Sequence, residues 1–254
     1  MINNIFDSHA HYDDKAFKED RKTLLSSLPS KGVVGIVNCG SDIKSSETSV
    51  LLSDKFDFIY SAAGIHPHEA EDAKPDDFDK LAVLLQHRKC VAVGEIGLDY
   101  HYDFSPRDIQ KQIFEKHLQI AIETNMPVVI HDREAHQDVL DLVQKYKPKG
   151  VIHCFSGSVE LAEIYVKMGM YIGLGGAVTF KNAKKPVEVA KFVPQDKLLV
   201  ETDCPYMTPV PYRGQRNDSS YIEYVILKLA EIRNETPDFI ANRTFENAKE
   251  VFNI

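Results

Sequence analysis

CVAVGEIGLDYHYDFSPRDIQKQIFEKHLQIAIETNMPVVIHDR, residues 90–133, contains an apolar run, a helical pattern and a second apolar run in succession. The outer runs, CVAVGEIGLDY from Cys90 and PVVIHDR from Pro127, are apolar almost throughout. Strands of that composition are covered on both faces, as in a parallel sheet flanked by helices. Between them, from Pro106 to about Asn125, Ile109, Ile113, Leu118, Ala121 and Ile122 mark one face of a helix. Ser105, Pro106 and Asp108 form a capping signal at its start. Strand, helix and strand in this order make a βαβ unit.

The same alternation extends in both directions. IFDSHAH from Ile5, VVGIVNCG from Val33 and IYSAAGIHP from Ile59 precede it, and GVIHCFSG from Gly150, YIGLGGAV from Tyr171 and LLVETDCP from Leu198 follow. Helical patterns separate these runs. Two more close the chain, Asp218 to about Arg233 and Pro237 to about Phe252, the second opened by Thr236 and Pro237. Eight such units in 254 residues predict an α/β chain of the TIM (β/α)8 barrel class. A doubly wound open sheet is the competing architecture, but it would gather ligands at one crevice and not around a ring of strand ends. No low-complexity tract or Gly/Ser linker divides the sequence, so residues 1–254 are expected to form a single domain.

Composition narrows the function. Thirty Lys and Arg against 38 Asp and Glu give a formal charge of −8, the opposite of a broad nucleic-acid-binding face. A polyanionic substrate would have to be met locally. The four cysteines show no CxxC spacing, and no basic segment followed by an apolar run opens the chain, which together suggest a cytoplasmic protein. No apolar stretch reaches the ~18 residues of a membrane span.

In a TIM barrel the site forms at the carboxyl ends of the strands. His9 and His11 end the first strand, where an i, i+2 pair faces one side, and His66 ends the third. Glu95 falls at the end of the fourth, His131 ends the fifth, His153 lies late in the sixth and Asp203 ends the eighth. His87, His117 and His136 fall in helical patterns and read as helix-surface histidines, while His68 and His101 fall in loops. Each rim residue taken singly has a structural explanation. Four histidines and two carboxylates from five strands, however, suit two divalent ions with shared coordination.

The segments FDSHAH, GIHPH, VGEIGLDY, VIHDREA, HCFSG and LLVETDCPY, in this order over nearly the whole chain, closely resemble the signature segments of the TatD family of metal-dependent deoxyribonucleases. The resemblance implies a barrel of the metallo-dependent hydrolase group in which His9, His11, Glu95, His131, His153 and Asp203 match the metal ligands. Glu95 matches the bridging carboxylate. HDREA departs from the commoner form, which has Ser or Cys after the histidine, and leaves His131 in place. The implied activity is hydrolysis of DNA phosphodiesters, as an exonuclease on single-stranded ends, by a metal-activated water. Two divalent cations, from among Mg, Mn, Zn, Co and Ni, would be the cofactors, and DNA repair or clearance of fragments the setting.

On this reading Asp203 both ligates metal and takes the proton of the attacking water, and Glu95 acts with it. His66 hydrogen-bonds the scissile phosphate or the leaving oxygen, with a strand-end structural role as the alternative. Arg133 pairs with a phosphate or forms a salt bridge to a rim carboxylate. Glu201 orients a ligand imidazole. For Tyr100, Tyr102 and Phe104 core or loop packing is the default reading of any one ring, and stacking of exposed bases the functional one. Ser156 and Gly157, or Lys181, Lys184 and Lys185, offer further phosphate contacts, while Cys154 and Cys204 read as packing residues. No obligate protein partner is evident. The competing functions are an amide or ester hydrolase, including a deacylase of aminoacyl-tRNA, and a catalytically silent binding protein.

Overall fold

The computed structural model describes residues 2–254. Its strands are β1 (Ile5–Ala10), β2 (Val33–Cys39), β3 (Ile59–Ala63), β4 (Cys90–Asp99), β5 (Val128–Arg133), β6 (Gly150–Ile152), β7 (Tyr171–Leu174) and β8 (Leu198–Val200). The intervening helices are α1 (Arg21–Ser27), α2 (Ile43–Lys55), α3 (Pro75–Leu84), α4 (Arg107–Thr124), α5 (His136–Tyr146), α6 (Val159–Lys167) and α7 (Lys184–Phe192). Two more, α8 (Ile222–Arg233) and α9 (Pro237–Phe252), follow the last strand. The strands succeed one another in a single sheet in chain order, with helices between them, the strand order of a (β/α)8 TIM barrel.

The chain forms two compact units. The first comprises the residues up to Asn38 together with Cys154–Glu250. In it β1 pairs in parallel with β2, and β7 with β8. Past the ends of β1 and β8 the backbones continue the pairing: the Asp203 amide donates to the His9 carbonyl at 3.0 Å and the His11 amide to the Cys204 carbonyl at 2.9 Å. Every residue of β1 is buried, Asp7 and His9 included. Asp7 is held there by donors: its carboxylate accepts from the Thr202 and His9 amides and from the Thr202 and Ser219 hydroxyls. Burial nevertheless outweighs those bonds and pushes its carboxyl up to about 7.

The second unit comprises Cys39–His153 and Val251–Ile254. There β3, β4, β5 and β6 pair in parallel in sequence. All ten residues of β4 are buried, as expected of an apolar strand covered on both faces. Helix α4 covers it with Gln110, Ile113, Phe114, His117, Leu118 and Ala121. This face differs from the expected one. Ile122 is exposed, while Phe114 and His117 turn inward, because the buried stripe follows the strand beneath it and not the apolar count. Nor does Ser105 cap α4, since its hydroxyl donates to the His68 carbonyl and accepts the Glu71 amide. The helix ends on Asn125 in the left-handed conformation. At α9 the expected start holds, with the Phe239 amide donating to Thr236 Oγ1 at 3.2 Å.

Candidate metal centre

In the first unit, the paired backbones beyond β1 and β8 bring three ligand-type side chains to one place. His9 Nε2 and His11 Nε2 are 3.0 Å apart, and Asp203 Oδ1 lies 3.7 Å from the former and 3.5 Å from the latter. Asp203 has φ 56°, a left-handed conformation that aspartate tolerates better than most residues. A cation about 2.1 Å from each of two imidazole nitrogens, at angles between octahedral and tetrahedral, separates them by roughly 3.0–3.4 Å. The His9–His11 spacing fits that geometry.

The second unit gathers four more. Glu95 Oε1 lies 2.9 Å from His131 Nδ1, 2.9 Å from His153 Nε2 and 3.4 Å from His66 Nε2, and His131 Nδ1 is 3.2 Å from His153 Nε2. His131 crosses from β5 to meet this carboxylate because Gly97 is its register partner in β4. Gly97 has φ 141°, and a Cβ there would lie 2.0 Å from the His131 carbonyl oxygen. Only glycine permits so close an approach.

Asp99, two residues beyond Gly97, fixes the other side of the imidazole. Its Oδ2 lies 3.0 Å from His131 Nε2 and 2.9 Å from His68 Nε2, while its Oδ1 accepts the His101 and Tyr102 amides. Burial works to raise its pKa, but these bonds outweigh it and hold the carboxyl far below the usual carboxylate range. For His131, burial pulls the pKa down, yet the bonds to Asp99 and Glu95 prevail and raise it. This environment favours positive charge beside His131, whether carried by a proton or by a metal ion. A carboxylate bonded to the remote nitrogen of a ligand histidine is also the common outer support of such sites.

His66 is buried; its Nδ1 accepts the His68 amide at 3.1 Å, so the proton resides on Nε2. Burial pulls its pKa down to about 4, against the pull of Glu95, and the ring is neutral near pH 7.

The remaining expected residues fall as follows. Arg133 is exposed and forms no ion pair among the described residues; its guanidinium lies 4.6 Å from the Tyr102 ring centroid. Tyr100 gives its hydroxyl to Asp138 at 2.6 Å and carries Arg107 over its ring. Ser156 is exposed in the loop that precedes α6. Glu201 Oε1 accepts the amide of Cys154, the residue after His153. Asp132 is buried and bonded to His136 Nδ1 at 2.9 Å. His117 is fully buried and not on the helix surface, and His87 lies in a turn beyond α3. Asp99 escaped the sequence reading, which set His68 aside as a loop residue. Asp99 shares strand parity with Glu95, a signal that was available.

Residues 6–253 match the family described as TatD related DNase. Over 253 residues the chain is 43% identical to YabD of Bacillus subtilis, described as an uncharacterized metal-dependent hydrolase, covering 98% of this chain and 99% of that one. It is 32% identical to the 3′-5′ ssDNA/RNA exonuclease TatD of Salmonella typhimurium, with 98% and 99% covered. Among solved structures it resembles YJJV, a TatD homolog from Escherichia coli K12, at 30% identity and a TM-score of 0.93 with both chains fully covered. That likeness establishes the TIM-barrel class expected from the strand order. Ligand chemistry, strand order and sequence identity agree, and the chain belongs to the TatD-related DNase family of metal-dependent hydrolases.

Proposed function

We propose that this chain is a deoxyribonuclease that shortens single-stranded DNA from an end with a metal-activated water, residues 1–254 serving as one catalytic domain. Two divalent cations per chain, drawn from Mg, Mn, Zn, Co and Ni, are assigned to it. His9, His11 and Asp203 would hold one, and Glu95, His131 and His153 the other. When bound, the cations supply Lewis acidity, lowering the pKa of the attacking water and offsetting phosphate charge. This resolves the problem of an acidic chain acting on a polyanion.

The observation that carries the reading is the pair of donor clusters: two imidazole nitrogens 3.0 Å apart in one unit, and in the other a carboxylate oxygen 2.9 Å from each of two imidazoles. Family membership and the likeness to the Salmonella relative, named a 3′-5′ ssDNA/RNA exonuclease, support the choice of substrate. Within the reaction, Asp203 accepts the proton of the attacking water at a carboxylate oxygen. Neutral His66 donates its Nε2–H to a phosphoryl or leaving oxygen. Glu201 braces the backbone turn that follows His153, and Ser156 offers a hydroxyl to the phosphate chain. No described helix is long and apolar enough to cross a membrane, and the four cysteines are unbridged. We therefore assign the activity to the cytoplasm, in repair or clearance of DNA.

The test is degradation of 3′-labelled and 5′-labelled single-stranded DNA with added Mg or Mn, after EDTA, and by Glu95→Ala. Stepwise shortening of the DNA that EDTA and the substitution both abolish is expected, and the two labels assign its direction. Wild-type protein that binds two metal ions yet leaves DNA intact overturns the substrate and directs attention to amides, esters and aminoacyl-tRNA.

A further inference from the structure

The loop after β4 presents an aromatic surface that the ligand chemistry does not use. Tyr102 and Phe104 are stacked at 5.3 Å between ring centroids, with planes 28° apart. Both are open to solvent, Phe104 most of all at 64%. Large aromatic rings on a loop ordinarily pack inward, because exposing them forgoes their burial free energy. Here the backbone around them is fixed while the rings are left outside. Ser105, buried between them and α4, bonds to the His68 carbonyl and the Glu71 amide, and Gln110 of α4 ties down the carbonyls of Asp99 and Ser105. The surface is therefore held in place before any ligand arrives.

Its location matters as much as its exposure. His68 meets Tyr102 at 5.3 Å and Phe104 at 4.8 Å between ring centroids, and its Nε2 shares Asp99 Oδ2 with the ligand histidine His131. The centroids of His68 and His131 are 6.3 Å apart. Two ring contacts, of 4.8 Å and 6.3 Å, thus lead from Phe104 to the ligand cluster, a path of at most about two nucleotides at an extended backbone repeat of roughly 6 Å. Arg133 lies against Tyr102 and forms no ion pair among the described residues, whereas neighbouring Arg107 and Lys111 are neutralised by Asp103 and Asp138. An exposed ring beside an uncompensated guanidinium matches one ligand chemistry: a flat π-face attached to an anion.

We propose that Phe104, backed by Tyr102, is a stacking subsite for one unpaired nucleobase of the substrate strand, and that Arg133 takes an adjoining phosphate. The inference rests on the nuclease reading above and specifies how that substrate is gripped. Stacking favours no particular base, and the subsite would admit any sequence that is single-stranded while rejecting paired ends. Phe104 and Arg133 are then substrate-binding residues in contact with the strand. His68 and Asp99 are positioning residues that tie the subsite to His131.

Binding of short single-stranded oligonucleotides carrying 2-aminopurine near either end and cleavage-resistant phosphorothioate linkages, measured by fluorescence on the metal-loaded protein, tests the subsite without turnover. Phe104→Leu is expected to weaken binding about tenfold and remove the stacking quench, with Phe104→Trp restoring both. An abasic oligonucleotide should bind wild type about tenfold less well and Phe104→Leu no worse than it binds intact DNA. Arg133→Gln should lower the slope of log Kd against log salt by about 0.7, the value for one single-strand phosphate. If Phe104→Leu still distinguishes abasic from intact strands as wild type does, and cuts DNA normally, the rings are loop packing and the proposal falls alone. If wild type quenches 2-aminopurine but cuts no DNA under any metal, the subsite stands and the nuclease reading falls. Absence of quenching in wild type overturns the subsite whatever the activity.

Discussion

Acidification from pH 7 to pH 5 should cost the fold about 2 kcal/mol through His117 alone. This residue lies on α4, fully buried, with Nδ1 donating to the Ile113 carbonyl at 2.7 Å and Nε2 accepting the Ile65 amide at 3.2 Å. Both ring nitrogens are engaged by the neutral tautomer. Protonation would set an N–H against the Ile65 N–H and place a charge where there is no water to solvate it. Burial accordingly pulls the pKa from 6.5 to about 4, opposed by the bond to Ile113. The folded value lies below the unfolded one, and between them the unfolded chain binds more protons. The contribution is fully present above the unfolded pKa of about 6.5 and is lost as pH falls toward 4, about 3 kcal/mol in all at 1.36 kcal/mol per unit. Most of it is gone by pH 5. The assay is urea unfolding at pH 7, 6 and 5, followed by far-ultraviolet circular dichroism since the chain has no tryptophan, with EDTA present to remove proton–metal competition. His117→Gln offers an amide oxygen to Ile65 and an amide N–H to Ile113 but does not titrate. Wild type should lose about 2 kcal/mol more than the variant between pH 7 and pH 5. Parallel stability curves would refute the reasoning.

Two substitutions probe the support of the metal ligands. Asp99→Asn can keep its oxygen toward both imidazoles only by turning its NH2 onto the His101 and Tyr102 amide donors, and should lower metal affinity by about 10–100-fold in a chelator competition; unaltered affinity would show that His131 needs no such support. Gly97→Ala brings a methyl within 2.0 Å of the His131 carbonyl at a φ of 141°, and should cost at least about 1–3 kcal/mol together with loss of metal binding. A variant with wild-type melting temperature and metal content would mean that β4 and β5 tolerate separation at this point.

Why some of this was legible in the sequence and some was not follows from the range of the interactions. Strand order and the helices came from local periodicity, which one segment such as Cys90–Arg133 carries by itself. The donor residues were legible because the spacing of His9 and His11, and the placing of Glu95 and His131 in apolar runs, depend only on strand geometry. His117 was misread because helical patterning gives membership of a helix but not which stripe faces the sheet; that is set by β4, and it buries a histidine while leaving Ile122 outside. Asp99 was missed for a different reason. Its partners His68 and His131 are 31 and 32 residues away, and nothing local shows a carboxylate reaching both. Yet the i, i+2 argument that joined His11 to His9 carries from Glu95 through Gly97 to Asp99. Followed that far, it would have placed two carboxylates on one face of β4 with a glycine between them. A gap of that kind leaves room for one side chain from the neighbouring strand. His131 takes that position, Nδ1 toward Glu95 and Nε2 toward Asp99.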